Sequence, residues 1–195
     1  MVINKVNLPK LLTDRLCIRL VVLEDIPHAI RYFKENEAHL QPFGPKWPED
    51  FYSEDFWHLR VKANIREFEQ DVSVRFFVWE RGKDDEIIGN LSLGSIQRHA
   101  AQFCYLGYGL AKSKQGKGFM TEAVNAVVEY GFKDKNLHRI MANYIPSNVR
   151  SGNLLRRLGF TVEGYARDYL YLNGKWEDHI LTSKTNPKWK EPAIL

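Results

Sequence analysis

The sequence predicts a mixed α+β domain with a central sheet and flanking helices, and three features of the chain indicate this class. Aromatic-rich runs with alternating apolar residues, such as 73–80, are typical of strands. Other stretches, such as 118–132, place apolar residues at helical spacing. A strand, a glycine-rich loop, a helix and a second strand follow one another over 103–145, which predicts a parallel βαβ unit.

The elements follow one another in a definite order. The predicted strands cover 15–21, 73–80, 86–96, 103–111, 138–145, 165–172 and 176–183. The predicted helices cover 25–36, 53–70, 118–132 and 149–158. Ser53 is the expected N-cap of the second helix, Gly159 closes the fourth, and Asn173-Gly174 is typical of a two-residue hairpin turn. The result is a mixed sheet in which antiparallel hairpins accompany one parallel pair.

A single domain is predicted over residues 1–195, with a core from about 12 to 185 and a frayed tail from Asn186. Hydrophobic residues make up 44% of the chain and charged residues 27%, which argues against disorder and against a coiled coil. Apolar runs fall short of the roughly 20 residues of a membrane helix, and the N-terminus lacks the features of a signal peptide. We therefore expect a cytoplasmic protein without a membrane partner.

The cysteine, histidine and charge content narrows the function classes. Cys17 and Cys104 are too few for a disulfide framework and are expected to be reduced and buried. The six histidines have no metal-ligand spacing, so no metal site is expected. The net charge of +4 suits an anionic ligand or a position near ribosomal RNA without requiring either, and no direct nucleic-acid readout is expected.

The loop 112–118 carries the main chemical signal. The N–H groups of a helix's first turn have no partner inside the helix and lie at the positive end of its dipole, so they bind anions such as a pyrophosphate. Gly116 and Gly118 permit close approach, and Lys114 and Lys117 add positive charge. A plain turn between strand and helix would explain the glycines equally well. The Walker and dinucleotide-binding patterns do not occur here.

Two blocks in this context resemble the GNAT acetyltransferase superfamily. The segment 115–120, Gln-Gly-Lys-Gly-Phe-Met, is similar to its coenzyme motif Gln/Arg-x-x-Gly-x-Gly/Ala, with Met120 replacing the small last residue. The segment 148–154, followed by Leu-Gly-Phe at 158–160, is similar to its next coenzyme segment. The resemblance covers roughly 12–185. Three further features resemble the Rim group of this superfamily: the segment 105–110, Met120 and the segment 163–179. Enzymes of the Rim group acetylate the N-terminal α-amines of ribosomal proteins.

The resemblance implies a GNAT fold, in which two parallel strands splay apart around the coenzyme. Here these strands are 103–111 and 138–145, and Pro146 ends the second. Acetyl-CoA is the implied co-substrate, and an N-terminal alanine of a ribosomal protein is the implied acceptor. The implied coenzyme contacts are Tyr108, Leu110, Gln115, Gly116, Lys117, Gly118, Phe119, Met120, Thr121, Asn148 and Asn153.

Two catalytic roles are also implied. Ser151 aligns with a serine that protonates the leaving thiolate in a related Rim enzyme, although it would serve the first helical turn equally well. The glutamate of that enzyme aligns with Leu170, which accepts no proton. Asp168 and His179 are the nearest titratable residues, and we take Asp168 as the candidate base, with an ordinary hairpin role as the alternative for either residue.

The acceptor side has a weaker signature. The irregular segment 41–50 and the helix after it are expected to form the acceptor mouth. Its predicted walls, which have core packing as their alternative role, are Phe43, Trp47, Tyr52 and Trp57.

Two other functions remain open on the sequence. One is acetylation of a small amine (a polyamine, an aminoglycoside or an amino acid), which would need an acidic cleft. The acids that favour it are Glu35, Glu37, Glu49, Asp50, Glu54 and Asp55. The other is a ribosome-associated protein that binds acyl-CoA without turnover, which the missing glutamate favours. The oligomeric state has no sequence signal.

Overall fold

The computed structural model describes residues 7–192, which form an eight-stranded mixed sheet in the order β1-β2-β3-β4-β5-β6-β8-β7. The strands are β1 Lys10–Leu12, β2 Leu16–Arg19, β3 Val74–Glu80, β4 Ile87–Gln97, β5 Phe103–Leu110, β6 Arg139–Met141, β7 Thr161–Leu172 and β8 Lys175–Thr185. The helices are α1 Ile26–Glu35, α2 Glu37–Leu40, α3 Glu54–Glu69, α4 Phe119–Lys133 and α5 Val149–Arg157. The α+β class predicted from the sequence is confirmed.

Helices cover both faces of the sheet. Successive side chains of β3 point to opposite faces, so the strand contributes to a buried cluster on each. Val74, Phe76 and Val78 join a buried cluster with α4 and α5. Phe77 and Trp79 join a second cluster with α1 and α3. These two clusters give the sheet an α4/α5 face and an α1/α3 face.

The parallel pair is β5 and β6, in register from Phe103 opposite Arg139 to Tyr105 opposite Met141. Beyond Met141 the chain turns away from β5 and pairs with β8, where Tyr144 and Ile180 exchange backbone hydrogen bonds of 3.1 and 2.9 Å. The strand predicted over 138–145 is therefore too long, because regular pairing with β5 ends at Met141 and only the edge toward β8 stays paired. Residues 106–110 of β5 are left without a β6 partner, which opens a wedge between the two strands.

Local signals in the sequence placed several boundaries correctly. Ser53 caps α3 by accepting a hydrogen bond from the N–H of Phe56. Asn173 and Gly174 have φ of 44° and 90°, which the tight turn between β7 and β8 requires. The short elements β1 and α2 had no signal in the sequence. The strand predicted from Tyr165 begins at Thr161, because Thr161 already pairs with Ser183 of β8.

Within residues 7–192, no helix combines the length and the apolar character needed to cross a membrane.

Candidate active site

The loop between β5 and α4 has two residues in the left-handed region. Gly116 has φ of 76° and Gly118 has φ of 79°, so both positions favour glycine. A Cβ added to Gly116 would meet no atom within 4 Å, which means that the loop faces open space there. Gly118 is the N-cap residue of α4 and provides no capping side chain. The helix start is therefore uncovered.

The backbone donors of this loop are unpaired. In the part of the chain that the structure describes, no acceptor takes the N–H groups of 116–121, and the first bond of α4 runs from Glu122 to the Gly118 carbonyl at 3.1 Å. A run of free N–H groups at a helix start, with left-handed residues before it, forms a concave anion site. The site fits the pyrophosphate of a coenzyme.

The side chains around the loop divide between core and solvent. Phe119 and Met120, the first two residues of α4, have buried side chains, so only their backbone N–H groups are available to a ligand. Lys117 is exposed and free to face phosphates. Lys114 corrects the sequence-based expectation, because its Nζ lies 2.7 Å from Glu80 and 2.8 Å from Glu86. Its charge is neutralised within the protein and does not serve the anion site.

Gln115 joins three elements at the mouth of the wedge. Its amide nitrogen lies 2.7 Å from Nε2 of His39, in α2. Its amide oxygen accepts a hydrogen bond from Arg150, in α5. Burial, followed by the positive charges of Lys112 and Arg150, lowers the pKa of His39. The Gln115 side chain is thus part of a bridge across the wedge, and it contacts protein groups on both sides.

Tyr108 and Ser151 meet across the wedge. The phenol oxygen of Tyr108, on β5, lies 2.7 Å from the hydroxyl oxygen of Ser151, in the first turn of α5. Burial raises the pKa of Tyr108 to about 12, although the hydrogen bond with Ser151 acts in the opposite direction. The phenol is therefore neutral at physiological pH, and either hydroxyl can donate in this contact. Sequence reasoning named both residues but assigned no contact between them.

The first turn of α5 is set by Asn148 and Gly152. Asn148 caps the helix, its side-chain oxygen accepting a hydrogen bond from the N–H of Ser151 at 3.2 Å. A Cβ on Gly152 would lie 2.7 Å from the ring of Tyr144, so only glycine lets the helix approach that ring. Asn153 accepts a hydrogen bond of 3.2 Å from Arg156 and lines a cavity of about 230 Å³ between α5 and the β7–β8 hairpin.

The candidate base lies on a β-bulge. Asp168 has φ of 46° where the pairing of β7 with β8 shifts register, and its side chain is exposed. Its N–H donates to Asp178 at 2.8 Å, and within residues 7–192 its carboxylate makes no contact with Ser151. The bulge turns the next residue, Tyr169, inward, where its phenol accepts a hydrogen bond of 3.3 Å from Asn143.

His179, the other titratable candidate, is 3% exposed. Its Nδ1 lies 3.0 Å from the carbonyl oxygen of Glu177, and its ring centroid lies 5.4 Å from that of Tyr169. His179 therefore supports the ring of Tyr169 from inside the hairpin.

The predicted aromatic walls of the acceptor mouth are mostly core residues. Trp57 is 3% exposed and stacks on Phe33, with ring centroids 5.4 Å apart. Trp47 and Tyr52 are partly buried against the same cluster, and Phe43 is exposed. The density of aromatic residues in this segment is explained by packing between α1 and α3.

The α1/α3 face beside the wedge has polar groups that had no sequence signal. Asn90, on β4, accepts a hydrogen bond of 2.9 Å from Tyr32. A Cβ on Gly109 would lie 2.9 Å from the Asn90 oxygen and 3.1 Å from Leu40, so α2 covers this end of β5 closely. A long-range contact of this kind cannot be identified from spacing along the chain.

Comparisons with known proteins place this architecture. Residues 15–161 match the model of a family described as acetyltransferase (GNAT) domain. The chain is 43% identical over 185 residues to the ribosomal protein uS5-alanine N-acetyltransferase of Escherichia coli strain K12, covering 94% of this chain and 95% of the relative. It is 35% identical over 170 residues to the probable N-acetyltransferase YjcK of Bacillus subtilis, covering 87% and 93%.

Solved structures agree with these matches. The ribosomal-protein-S5-alanine acetyltransferase of Vibrio fischeri superposes with a TM-score of 0.88 at 39% identity, covering 94% of this chain and all (100%) of that one. RimJ of Mycobacterium smegmatis, in complex with CoA-disulfide, gives a TM-score of 0.83 at 26% identity, covering 95% and 90%.

Proposed function

The chain belongs to the GNAT acetyltransferase family, and we propose that it transfers the acetyl group of acetyl-CoA to the N-terminal α-amine of a ribosomal protein, with alanine as the acceptor residue. The observation that carries the acceptor is the 43% identity to the Escherichia coli enzyme, which extends over nearly the whole of both chains. Ribosome proximity and a cytoplasmic location belong to the same proposal.

Binding of acetyl-CoA is supported by the uncovered start of α4. The N–H groups of 116–121 have no acceptor among residues 7–192 and would take the pyrophosphate oxygens. The unpaired edge of β5 over 106–110 would take the amide groups of the pantetheine arm, as an added strand does. The remaining proposed contacts include Thr121 on α4, Leu110 on β5, and Asn148 and Asn153 on α5.

The reaction is a direct attack of the neutral amine on the thioester carbon. A C–N bond forms and the C–S bond breaks, so the amine loses a proton and the sulfur gains one. A backbone N–H near Tyr108 or Gly109 stabilises the developing oxyanion. Because an N-terminal amine has a pKa of about 7.7–8.0, much of it is neutral near physiological pH and only weak base assistance is needed.

The two proton transfers are assigned to opposite sides of the wedge. The Ser151 hydroxyl gives its proton to the thiolate, and the Tyr108 phenol, 2.7 Å away, donates to the Ser151 oxygen in turn. Asp168 takes the amine proton through water, because the bulge leaves its carboxylate exposed. The next residue, Tyr169, points inward to Asn143 beside the wedge, which places the bulge near the site. Asp168 therefore serves as a distant base.

The small-amine alternative has little support from the charges. Glu35 lines a cavity of about 350 Å³ together with Glu86 and Lys112. Glu86 is already paired with Lys114 at 2.8 Å. Of the two carboxylates that line this cavity, one is already paired and the other has Lys112 beside it, whereas a polycation would need several free acids.

Mass spectrometry tests the proposal directly. The protein is incubated with acetyl-CoA and an Ala-initiated ribosomal peptide, and a control peptide carries a blocked α-amine. We expect one acetyl group on the free amine, none on the blocked peptide, and a much slower reaction for Ser151→Ala. Thiol release with small amines but not with peptides would instead indicate a small-molecule acceptor. Coenzyme binding without any thiol release would indicate a silent binder.

A further inference from the structure

Helix α3 carries a polar stripe beside its buried face. Arg60, Asn64 and Glu67 follow at helical spacing and share one side of the helix. Glu67 accepts hydrogen bonds from Ser73 and, at 3.2 Å, from Arg75. Its charge is therefore used within the protein.

The other two members of the stripe are not satisfied. Arg60 is half-buried, and no carboxylate or other acceptor among residues 7–192 hydrogen-bonds its guanidinium. Asn64 is 2% exposed, and its side-chain oxygen has no donor in the same part of the chain. Because Arg60 is partly open to solvent and has no protein acceptor, its guanidinium is available to an acceptor that a ligand brings.

The local charge favours an anion. Burial, followed by the neighbouring guanidinium of Arg75, lowers the pKa of Arg60, and Glu67 only partly opposes this. The guanidinium groups of Arg60 and Arg75 thus lie near one carboxylate, that of Glu67, and the three groups together carry one net positive charge. A carboxylate brought in by a ligand would restore the balance and form the bidentate pair that arginine prefers.

The stripe lies along a strip of the sheet that leads to the wedge. Arg75 on β3 is opposite Ser92 on β4, and Ser92 is opposite Gly107 on β5, so the three share the α1/α3 face. A Cβ on Gly107 would meet only Ser92, at 3.2 Å, and one on Gly94 would meet only the Tyr105 carbonyl, at 3.9 Å. Gly107 is exposed, and no helix atom of the described residues lies within 4 Å of a Cβ at Gly94 or Gly107, so the β4–β5 end of the strip is open to an extended segment.

The register sets the distance from the reacting amine. Gly107 directly precedes Tyr108, and Arg75 lies two strands away, which corresponds to roughly 10 Å at a strand spacing of about 4.8 Å. An extended peptide advances about 3.3 Å per residue, so a side chain at this distance belongs to about the third or fourth residue.

We propose that Arg60 forms an acceptor subsite that binds an acidic side chain at about the third or fourth position of the acceptor polypeptide. This inference rests on the proposed function, since it assumes a peptide acceptor with its amine at the wedge. The half-buried guanidinium beside a flat strip of sheet suits one peptide carboxylate better than the convex backbone of an RNA helix.

A peptide scan tests the subsite. Ala-initiated peptides differ only in carrying Glu or Gln at one of positions two to six, and kcat and KM are measured by thiol release. We expect Glu at position three or four to raise kcat/KM about tenfold, mainly through KM. Arg60→Gln should remove this preference while leaving the rate with all-Gln peptides unchanged.

Two controls separate recognition from a structural role. Arg66→Gln removes an exposed arginine of the same helix and should keep the preference for Glu. Arg60→Gln should leave the melting temperature unchanged or raise it, because a half-buried cation without a partner does not stabilise the fold. A lower melting temperature for Arg60→Gln, corrected by Arg60→Lys without a Glu preference, would overturn the subsite.

The remaining outcomes distinguish the two proposals. Equal rates with Glu and Gln peptides in the unmodified protein would overturn the subsite and leave peptide acetylation intact. Absence of acetylation of every peptide would overturn both. Inhibition by an RNA oligonucleotide that Arg60→Gln relieves, without any Glu preference, would assign Arg60 to RNA and overturn the peptide subsite.

Discussion

Glu122, in the first turn of α4, accepts hydrogen bonds from the backbone N–H of Arg15 at 3.0 Å and from its guanidinium at 2.7 Å. The same guanidinium donates to the Lys117 carbonyl at 2.9 Å and lies over the ring of Phe119. Arg15 therefore fixes the anion-binding loop from outside. The loop conformation depends on a contact between residues that are 107 positions apart.

The first prediction concerns acid stability. Burial raises the pKa of Glu122, but hydrogen bonds from Thr13 and Arg15 outweigh it and hold the value below 4.5. A carboxyl group with a lowered pKa stabilises the fold above its unfolded value, and this contribution is lost as pH falls through the folded value. We expect Glu122→Gln to lower the free energy of unfolding by about 1 kcal/mol at neutral pH and by less in acid.

Urea unfolding at a series of pH values between neutral and acid measures this difference. Glu129→Gln is the matched control, since Glu129 pairs with Lys133 on the exposed side of the same helix. Its effect should stay below about 0.5 kcal/mol. A constant difference between Glu122→Gln and the unmodified protein at every pH would contradict the assignment.

The second prediction concerns Tyr108→Phe. Removing the phenol oxygen leaves the ring in place and deletes the hydrogen bond to Ser151. We expect kcat to fall about 5- to 50-fold, with little change in KM for acetyl-CoA, because the lost contact acts on proton delivery. Steady-state kinetics with the peptide acceptor measures this change.

The double variant Tyr108→Phe/Ser151→Ala identifies the shared pathway. If the phenol acts through Ser151, the double variant should be no slower than Ser151→Ala alone. Multiplication of the two single effects would show that the residues act independently.

The third prediction separates backbone strain from coenzyme binding. Gly116→Ala places a Cβ on a residue with φ of 76°, which costs about 1–2 kcal/mol of stability. Realignment of the loop N–H groups should also weaken acetyl-CoA binding about tenfold, as measured by calorimetry. Gly82→Ala is the matched control, because Gly82 has φ of 81° in the turn after β3. It should cost similar stability without changing the coenzyme affinity.

The fourth prediction concerns the contact of α5 with Tyr144. A Cβ on Gly152 would lie 2.7 Å from two ring carbons and the phenol oxygen of Tyr144, so Gly152→Ala must displace the ring or the helix. We expect a net loss of about 1–3 kcal/mol despite the better helix propensity of alanine. Thermal unfolding measures the loss, and Tyr144→Ala in the same chain should recover part of it. A stabilised Gly152→Ala variant would contradict the close approach.

Much of the fold was predictable because its signals are local. The turn at Asn173-Gly174 and the cap at Ser53 depend on residues only a few positions apart. The length of β6 was not predictable, because the point at which it parts from β5, after Met141, depends on the tertiary arrangement of the two strands, while β8 continues to pair with its other edge. The sequence contains the same apolar run for either pairing.

The candidate site divides in the same way. The glycines of the loop before α4 could be singled out because a left-handed backbone selects glycine locally, and both have a positive φ. The contact between Tyr108 and Ser151 joins residues 43 positions apart, and no spacing rule predicts it. Trp57 was assigned to the acceptor mouth because an aromatic side chain gives the same signal in a core as in a pocket.

The sequence by itself determined the α+β class, the glycine-rich loop before α4 and the resemblance to acetyltransferases, because each depends on residue types at short spacing. Only the tertiary structure decided which charges have partners. The sequence does not show whether Lys114 or Arg60 has an acidic partner. In the structure Lys114 lies between two carboxylates, whereas Arg60 has no carboxylate partner within residues 7–192. The difference arises because partners come from distant strands and helices, and packing alone brings them together.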